Sequence, residues 1–255
     1  MNRIEFIGLP GSGKTTISNE IIKNNINGKI KKFEDVYQKS IRKYYKNNHL
    51  FNRIKINILG KFINELTIPN NLYQNKVFNE LFLNNDIYKC IINHINEYSP
   101  NFRKPFLVKY LLSDKFKLDI INEFYNEDIT VLMDEGFVHR LINILMYSNE
   151  DIINITFIDE YFNVYKYPES IIYIKIDIEE CIHRMENRKK GVPASFRNFN
   201  KEELYHELNF MLNTTEKVVD VLKAKNISVI EIDNNNSLTK NKDIILKELN
   251  FFQND

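Results

Sequence analysis

Lys14 and Thr15 follow a cluster of glycines, and that combination suggests a specific chemistry. Residues Gly8-Leu9-Pro10-Gly11-Ser12-Gly13-Lys14-Thr15 match G-x-x-x-x-G-K-[ST]. The chain has only seven glycines, and three of them fall in this octet. Glycines let the backbone curl so that successive N–H groups converge on phosphate oxygens. A helix starting at the end of the loop adds its partial positive charge. Lys14 would reach the β- and γ-phosphates of a bound triphosphate, and the Thr15 hydroxyl would ligate Mg²⁺. Thr16 continues the stretch into the helix.

A second group lies near the middle of the chain. The apolar run 129–133 ends in Asp134-Glu135. Beside a phosphate loop, Asp134 is expected to hold Mg²⁺, directly or through water; alternatively it caps the helix predicted over 137–147. If the phosphoryl acceptor is a hydroxyl, a general base would help, and the candidates are Glu135 and Asp35. Either carboxylate can equally be read as a surface residue. Arg140, one helical turn into its helix, is a candidate for an acceptor phosphate or for a surface ion pair.

The third group is basic. Arg184 and Arg188 are four apart on a predicted helix, hence on one face, and Lys189 and Lys190 follow. Arg197 lies in the polar loop beyond. A mobile basic flap supplies cations where charge spreads over a moving phosphoryl group, and it excludes water as it closes. The alternative is a solvated basic helix end, favoured by the helix dipole.

Elements that would position these groups are readable from periodicity. Residues 3–7 form a short buried strand, and Ile17, Ile21 and Ile22 have helical spacing behind the loop. A second strand is predicted within 28–36, ending at Glu34-Asp35. Residues 37–98 read as helical and irregular, Ser99-Pro100 and Pro105 as loop, and 106–128 as a long amphipathic helix. Further strands are predicted over 129–133, 170–177 and 227–233. Helices follow over 178–191, 201–225 and the C-terminal stretch. Strands alternating with helices imply a parallel sheet covered on both faces.

With these parts in place, the chain resembles the P-loop nucleoside and nucleotide kinases. "GLPGSGKTT" is similar to the loop of adenylate-kinase-like enzymes. "PESIIYIKIDIEECIHRMENRKKG" resembles the strand, acidic helix start, R-x-x-x-R and lid of thymidylate and deoxynucleoside kinases. "LKAKNISVIEIDNNNS" resembles their last strand and adenine-side loop. "DEGFVHR" departs from both the D-R-[YFH] and the E-R-S patterns, so it does not specify the acceptor. The resemblance covers roughly 1–36 and 105–250. It implies a three-layer α/β/α P-loop NTPase fold with a five-stranded parallel sheet, ATP as donor, and a lid at about 189–199. It also implies Arg184 near the adenine and Arg188 near the phosphates. The chain reads as a single domain over 1–255, with a helical acceptor-side insertion at about 37–104.

The function expected is an ATP-dependent small-molecule kinase acting on a nucleoside, nucleotide or sugar-type acceptor. The alternative is a P-loop ATPase in which Glu135 activates water. A GTP-binding switch is disfavoured, because "NKD" at 241–243 lacks the N-K-x-D spacer. The net charge of +1 gives no reason for a nucleic-acid or membrane partner. Partners are thus ATP and a small acceptor, and a homodimer is admitted. Cys90 and Cys181 are far apart and suit a reducing, cytoplasmic setting. MNRIEFIG does not read as a signal peptide. The five histidines, His49, His94, His139, His183 and His206, show no metal-ligand spacing and are read as structural or surface.

Overall fold

Five short runs, most of them rich in isoleucine and valine, build one sheet. They are β1 (Asn2–Ile7), β2 (Ile30–Lys32), β3 (Thr130–Met133), β4 (Ser170–Lys175) and β5 (Ser228–Asp233). β-Branched side chains suit a pleated surface, and strands buried on both faces read as unbroken apolar stretches. β4 follows that rule, with only Lys175 exposed. Every pairing is parallel, and the order is β2-β3-β1-β4-β5. The computed structural model describes residues 2–24, 29–47, 86–125, 129–147, 155–188, 191–193, 196–235 and 237–251.

Among the described residues the helices are α1 (Lys14–Lys23), α2 (Phe33–Asn47), α3 (Asp86–Tyr98), α4 (Lys104–Phe124), α5 (Phe137–Leu145), α6 (Ile155–Tyr165), α7 (Ile178–Glu186), α8 (Lys201–Ala224) and α9 (Leu238–Phe251). The chain divides into two compact units. One comprises residues 2–32, 129–142 and 168–255 and contains the whole sheet. Its core packs Ile4, Phe6, Ile172 and Ile174 of the strands against Ile17 and Ile21 of α1 and Ile245 and Leu249 of α9. The other comprises 33–128 and 143–167, with Met1, and its described residues include α2, α3, α4 and α6. In it α4 packs on α2 and α3, and α3 on α6. His94 stacks on Phe157 with ring centroids 4.2 Å apart, and the Arg103 guanidinium lies over the Tyr147 ring at 5.2 Å.

Several predicted boundaries are corrected. β2 stops at Lys32 and α2 begins at Phe33, so Glu34 and Asp35 occupy the first turn of a helix and not a strand end. Acids there interact favourably with the helix dipole. Pro105 lies in the first turn of α4, where its missing N–H costs nothing. α7 ends at Glu186, so Arg188 lies beyond the helix and does not share a helical face with Arg184. α6 was not foreseen from periodicity. Residues 48–85 of the expected insertion, and Lys189, Lys190, Ala194 and Ser195 of the expected lid, lie outside the described residues.

Candidate active site

In the parallel sheet, β1 connects toward β2 on one side, while its neighbour β4 connects toward β5 on the other. Strands that diverge in this way open a crevice at their carboxyl ends, where ligands bind in open α/β sheets. Residues 8–13 leave β1 at that end. Gly8, Gly11 and Gly13 all have positive φ, at 136°, 84° and 92°. A Cβ on Gly8 would lie 2.5 Å from the Ile174 carbonyl oxygen of β4, so only glycine lets the loop start this close to the neighbouring strand. Within the loop the Ser12 N–H donates to the Leu9 carbonyl at 3.1 Å. Pro10 completes the turn.

Two helix starts in this unit differ. α8 is closed by its own side chains: Asn200 accepts from the Glu203 N–H, and Glu203 accepts from the Asn200 N–H. α1 is capped by Gly13, has no side-chain cap and carries no acid in its first turn. Its first N–H groups are left for an anion. Lys14 lies immediately inside, and Thr15 and Thr16 are exposed on the same turn.

The Lys14 ammonium is folded back on the loop. It donates to the carbonyls of Gly8 at 2.8 Å and Leu9 at 3.0 Å. Burial lowers its pKa, and the charge of Arg188 lowers it further; the carboxylates of Glu135 and Asp134 and the neighbouring Cys181 side chain raise it again. Of the residues singled out from sequence, Asp134, Glu135 and Arg188 act on its charge. Asp134 is half-buried just past β3, and Glu135 is exposed beside it. Arg140 Nη1 stands 3.6 Å from Glu135 Oε2. Arg184 borders Gly13, with Nη1 about 4.0 Å from where a Cβ would lie, and its Nε is held by Glu180 Oε1 at 2.7 Å. Arg197 Nε donates to the Val192 carbonyl at 3.2 Å, in the segment after α7. Asp35 lies on α2 in the other unit.

Three further residues that were not candidates for the site border these groups. Glu5 lies inside β1 with no solvent exposure. Its Oε1 stands 2.6 Å from Arg3 Nε, and its Oε2 accepts the Val138 N–H at 2.7 Å, near the start of α5. A Cβ on Gly136 would come within 2.4 Å of that carboxylate, so glycine is needed for the approach. The signal was present: an acid in the middle of an apolar strand needs a buried partner. His139 is buried, and burial followed by the charges of Lys14 and Arg140 pushes its pKa well below the usual histidine value. Asn234, after β5, donates from Nδ2 to the Ser12 carbonyl at 2.5 Å. Nothing in "NNNS" distinguishes it from its neighbours.

Among the described residues no group of three or more His, Cys, Asp or Glu is placed to hold a metal ion, and no helix is long and apolar enough to cross a membrane.

No protein-family model and no curated protein matches the sequence. Solved structures do match. The structure of deoxyadenosine kinase from M. mycoides with bound dATP covers 98% of this chain and 100% of its own, at 17% identity and a TM-score of 0.52. The same enzyme with products dCMP and a flexible dCDP gives 13% identity and a TM-score of 0.52, with 97% of this chain and 98% of that one covered. Its dCTP-bound structure gives 13%, 0.51 and the same coverage. The fold is that of a P-loop deoxynucleoside kinase. The five-stranded parallel sheet with flanking helices is the fold that the resemblance to the P-loop nucleoside and nucleotide kinases implied. At these identities the deoxynucleoside-kinase likeness is one of architecture.

Proposed function

We propose that the chain is an ATP- and Mg²⁺-dependent kinase that transfers the γ-phosphoryl group to a hydroxyl of a nucleoside. The observation that carries this reading is the arrangement around Lys14. A buried ammonium lies on the carbonyls of a glycine loop at an uncapped helix start, within reach of the charges of Asp134, Glu135 and Arg188. That arrangement suits a triphosphate tail.

In this reading the loop amides of 11–16 bind the β- and γ-phosphate oxygens, and Lys14 turns from its carbonyls onto them. The residues present suit a magnesium ion. Mg²⁺ keeps several waters and takes one or two carboxylates plus phosphate oxygens. The exposed Thr15 hydroxyl and the Asp134 carboxylate are hard oxygen donors of that kind. Thr15 and Asp134 would hold the ion, and when bound it neutralises charge on the phosphates. Arg188 and Arg197 supply cations over the moving group, and Arg184 borders the donor. Catalysis is then mainly positioning and charge stabilisation. Of the two carboxylates that can take the hydroxyl proton, Glu135 is the one whose charge reaches Lys14, with Arg140 beside it. Asp35, on α2, is the alternative. The Glu135–Arg140 pair offsets the cation that a nucleotide acceptor's phosphate would need, which favours an uncharged nucleoside.

The test is ADP release from Mg·ATP with and without a panel of nucleosides and deoxynucleosides. Turnover that requires an added nucleoside is the expected result. Rapid acceptor-independent hydrolysis, lost in Glu135→Gln, would instead establish an ATPase.

A further inference from the structure

We infer that Asn234 is a positioning residue for the phosphate loop, held in turn by Asn241, and that together they aim one backbone donor at the triphosphate. The inference rests on the reading of residues 8–16 as a triphosphate site. Asn234 Nδ2 donates to the Ser12 carbonyl at 2.5 Å. A trans peptide places its C=O and the following N–H on opposite edges of one plane. Holding the Ser12 oxygen on one side therefore turns the Gly13 N–H to the other. Gly13 is the N-cap residue of α1, whose start has no side-chain cap and is where an anion would sit.

Gly13 has no side chain to resist rotation of that peptide, so the orientation must come from outside the loop. Asn234 supplies it and packs against the same glycine: its Nδ2 would lie 2.8 Å from a Cβ placed there. Asn234 is itself fixed at two points, and the Asp233 carbonyl just before it at a third. Its N–H donates to the Lys175 carbonyl of β4 at 3.0 Å. Asn241 Nδ2, on α9, donates to Asn234 Oδ1 at 3.4 Å and to the Asp233 carbonyl at 3.1 Å. Asn241 is fully buried. A chain of amide hydrogen bonds thus runs from a core helix to the phosphate loop, each bond polarising the next. An unheld Ser12–Gly13 peptide would have to be ordered by the ligand at each binding event.

The experiment measures binding of Mg·ATP and of Mg·pyrophosphate by calorimetry, with thermal unfolding and the KM for the nucleoside, on the full chain. Asn234→Ala is expected to weaken ATP and pyrophosphate by the same factor, about tenfold, with the nucleoside KM and the unfolding midpoint unchanged. Asn241→Leu is expected to give a smaller loss of the same kind, and the double variant no more loss than Asn234→Ala alone. Loss of ATP affinity with pyrophosphate unaffected would make Asn234 a base contact and overturn the inference. Additive losses, or a lowered unfolding midpoint with all ligands affected, would overturn it as well. If the unaltered chain binds neither ligand, the triphosphate reading fails. If it binds both and Asn234→Ala binds them equally well, only the positioning role fails.

Discussion

The carboxylate of Glu5, inside the central strand, accepts the backbone N–H of Val138 at 2.7 Å. An acid on β1 thereby ties down the start of the helix that follows Asp134 and Glu135. Arg3 completes the arrangement, with its guanidinium 4.9 Å from the Phe137 ring centroid. Removing one partner of a buried ion pair leaves the other charge uncompensated and costs about 3–5 kcal/mol. Glu5→Ala is therefore expected to lower unfolding stability by about that amount, read from denaturant titration. Gly136→Ala should be as damaging, because the added methyl meets the same carboxylate. Loss of less than about 1 kcal/mol in both would show that Glu5 does not anchor α5.

Lys14 predicts a pH dependence of opposite sign for folding and for ligand. Its pKa is lowered from about 10.5, chiefly by burial. Between that lowered value and about 10.5 the unfolded chain binds more protons than the folded one, so stability rises with pH across the window. A triphosphate prefers the charged amine, so ATP affinity falls as pH rises through the same window. Calorimetric ATP titrations should show the alkaline loss starting below the range of an ordinary lysine. Glu135→Gln removes a charge that raises the Lys14 pKa and should move the loss to lower pH. Arg188→Ala removes one that lowers it and should move the loss upward.

His139 acts at the acid end. It is buried, and its pKa is pushed well below 6.5, first by burial and then by Lys14 and Arg140. Below about 6.5 the unfolded chain takes up a proton that the folded chain resists. Stability is therefore expected to fall as pH drops through this range. His139→Asn should flatten that part of the profile, measured as the urea midpoint between pH 5 and 7.5.

The two thiols should be quiet in the folded protein. Burial pushes Cys181 up to about 12 and Cys90 to about 11, the latter helped by its hydrogen bond to Glu160 Oε2 at 2.8 Å. The thiolate is the reactive form. Ellman's reagent at pH 7.5 should modify neither at an appreciable rate until denaturant is added. Rapid labelling of Cys181 would contradict its burial.

Much of the site could be read in sequence because its parts are local. The loop 8–16 carries its own glycines and lysine, and Asp134-Glu135 ends an unmistakable apolar strand. Backbone conformation is specified there by adjacent residues. Four of the five strands were legible for the same reason, through apolar runs rich in β-branched residues. What escaped was tertiary. Glu5 and Val138 are far apart in sequence, and Asn234 reaches Ser12 across most of the chain. No window of periodicity contains both partners. Asp35 was misplaced for a subtler reason: "KIKKFEDV" supports a strand or a helix start, and the acidic first turn of α2 settled it as helix. The predicted shared face of Arg184 and Arg188 failed because α7 stops two residues short of Arg188, at Glu186.

The strand order has a consequence for biosynthesis. β1 is flanked by β3 and β4, whose paired residues begin at Thr130 and Ser170. The glycine loop is therefore made before the strands that flank it and cannot be braced until the ribosome has added about 165 more residues. At ordinary elongation rates that takes roughly 10–30 s. For that interval an apolar segment lacks a partner on at least one edge and is exposed to chaperones and to other nascent chains. Substitutions that slow pairing of β4 should lower soluble yield more than they lower the stability of protein already folded.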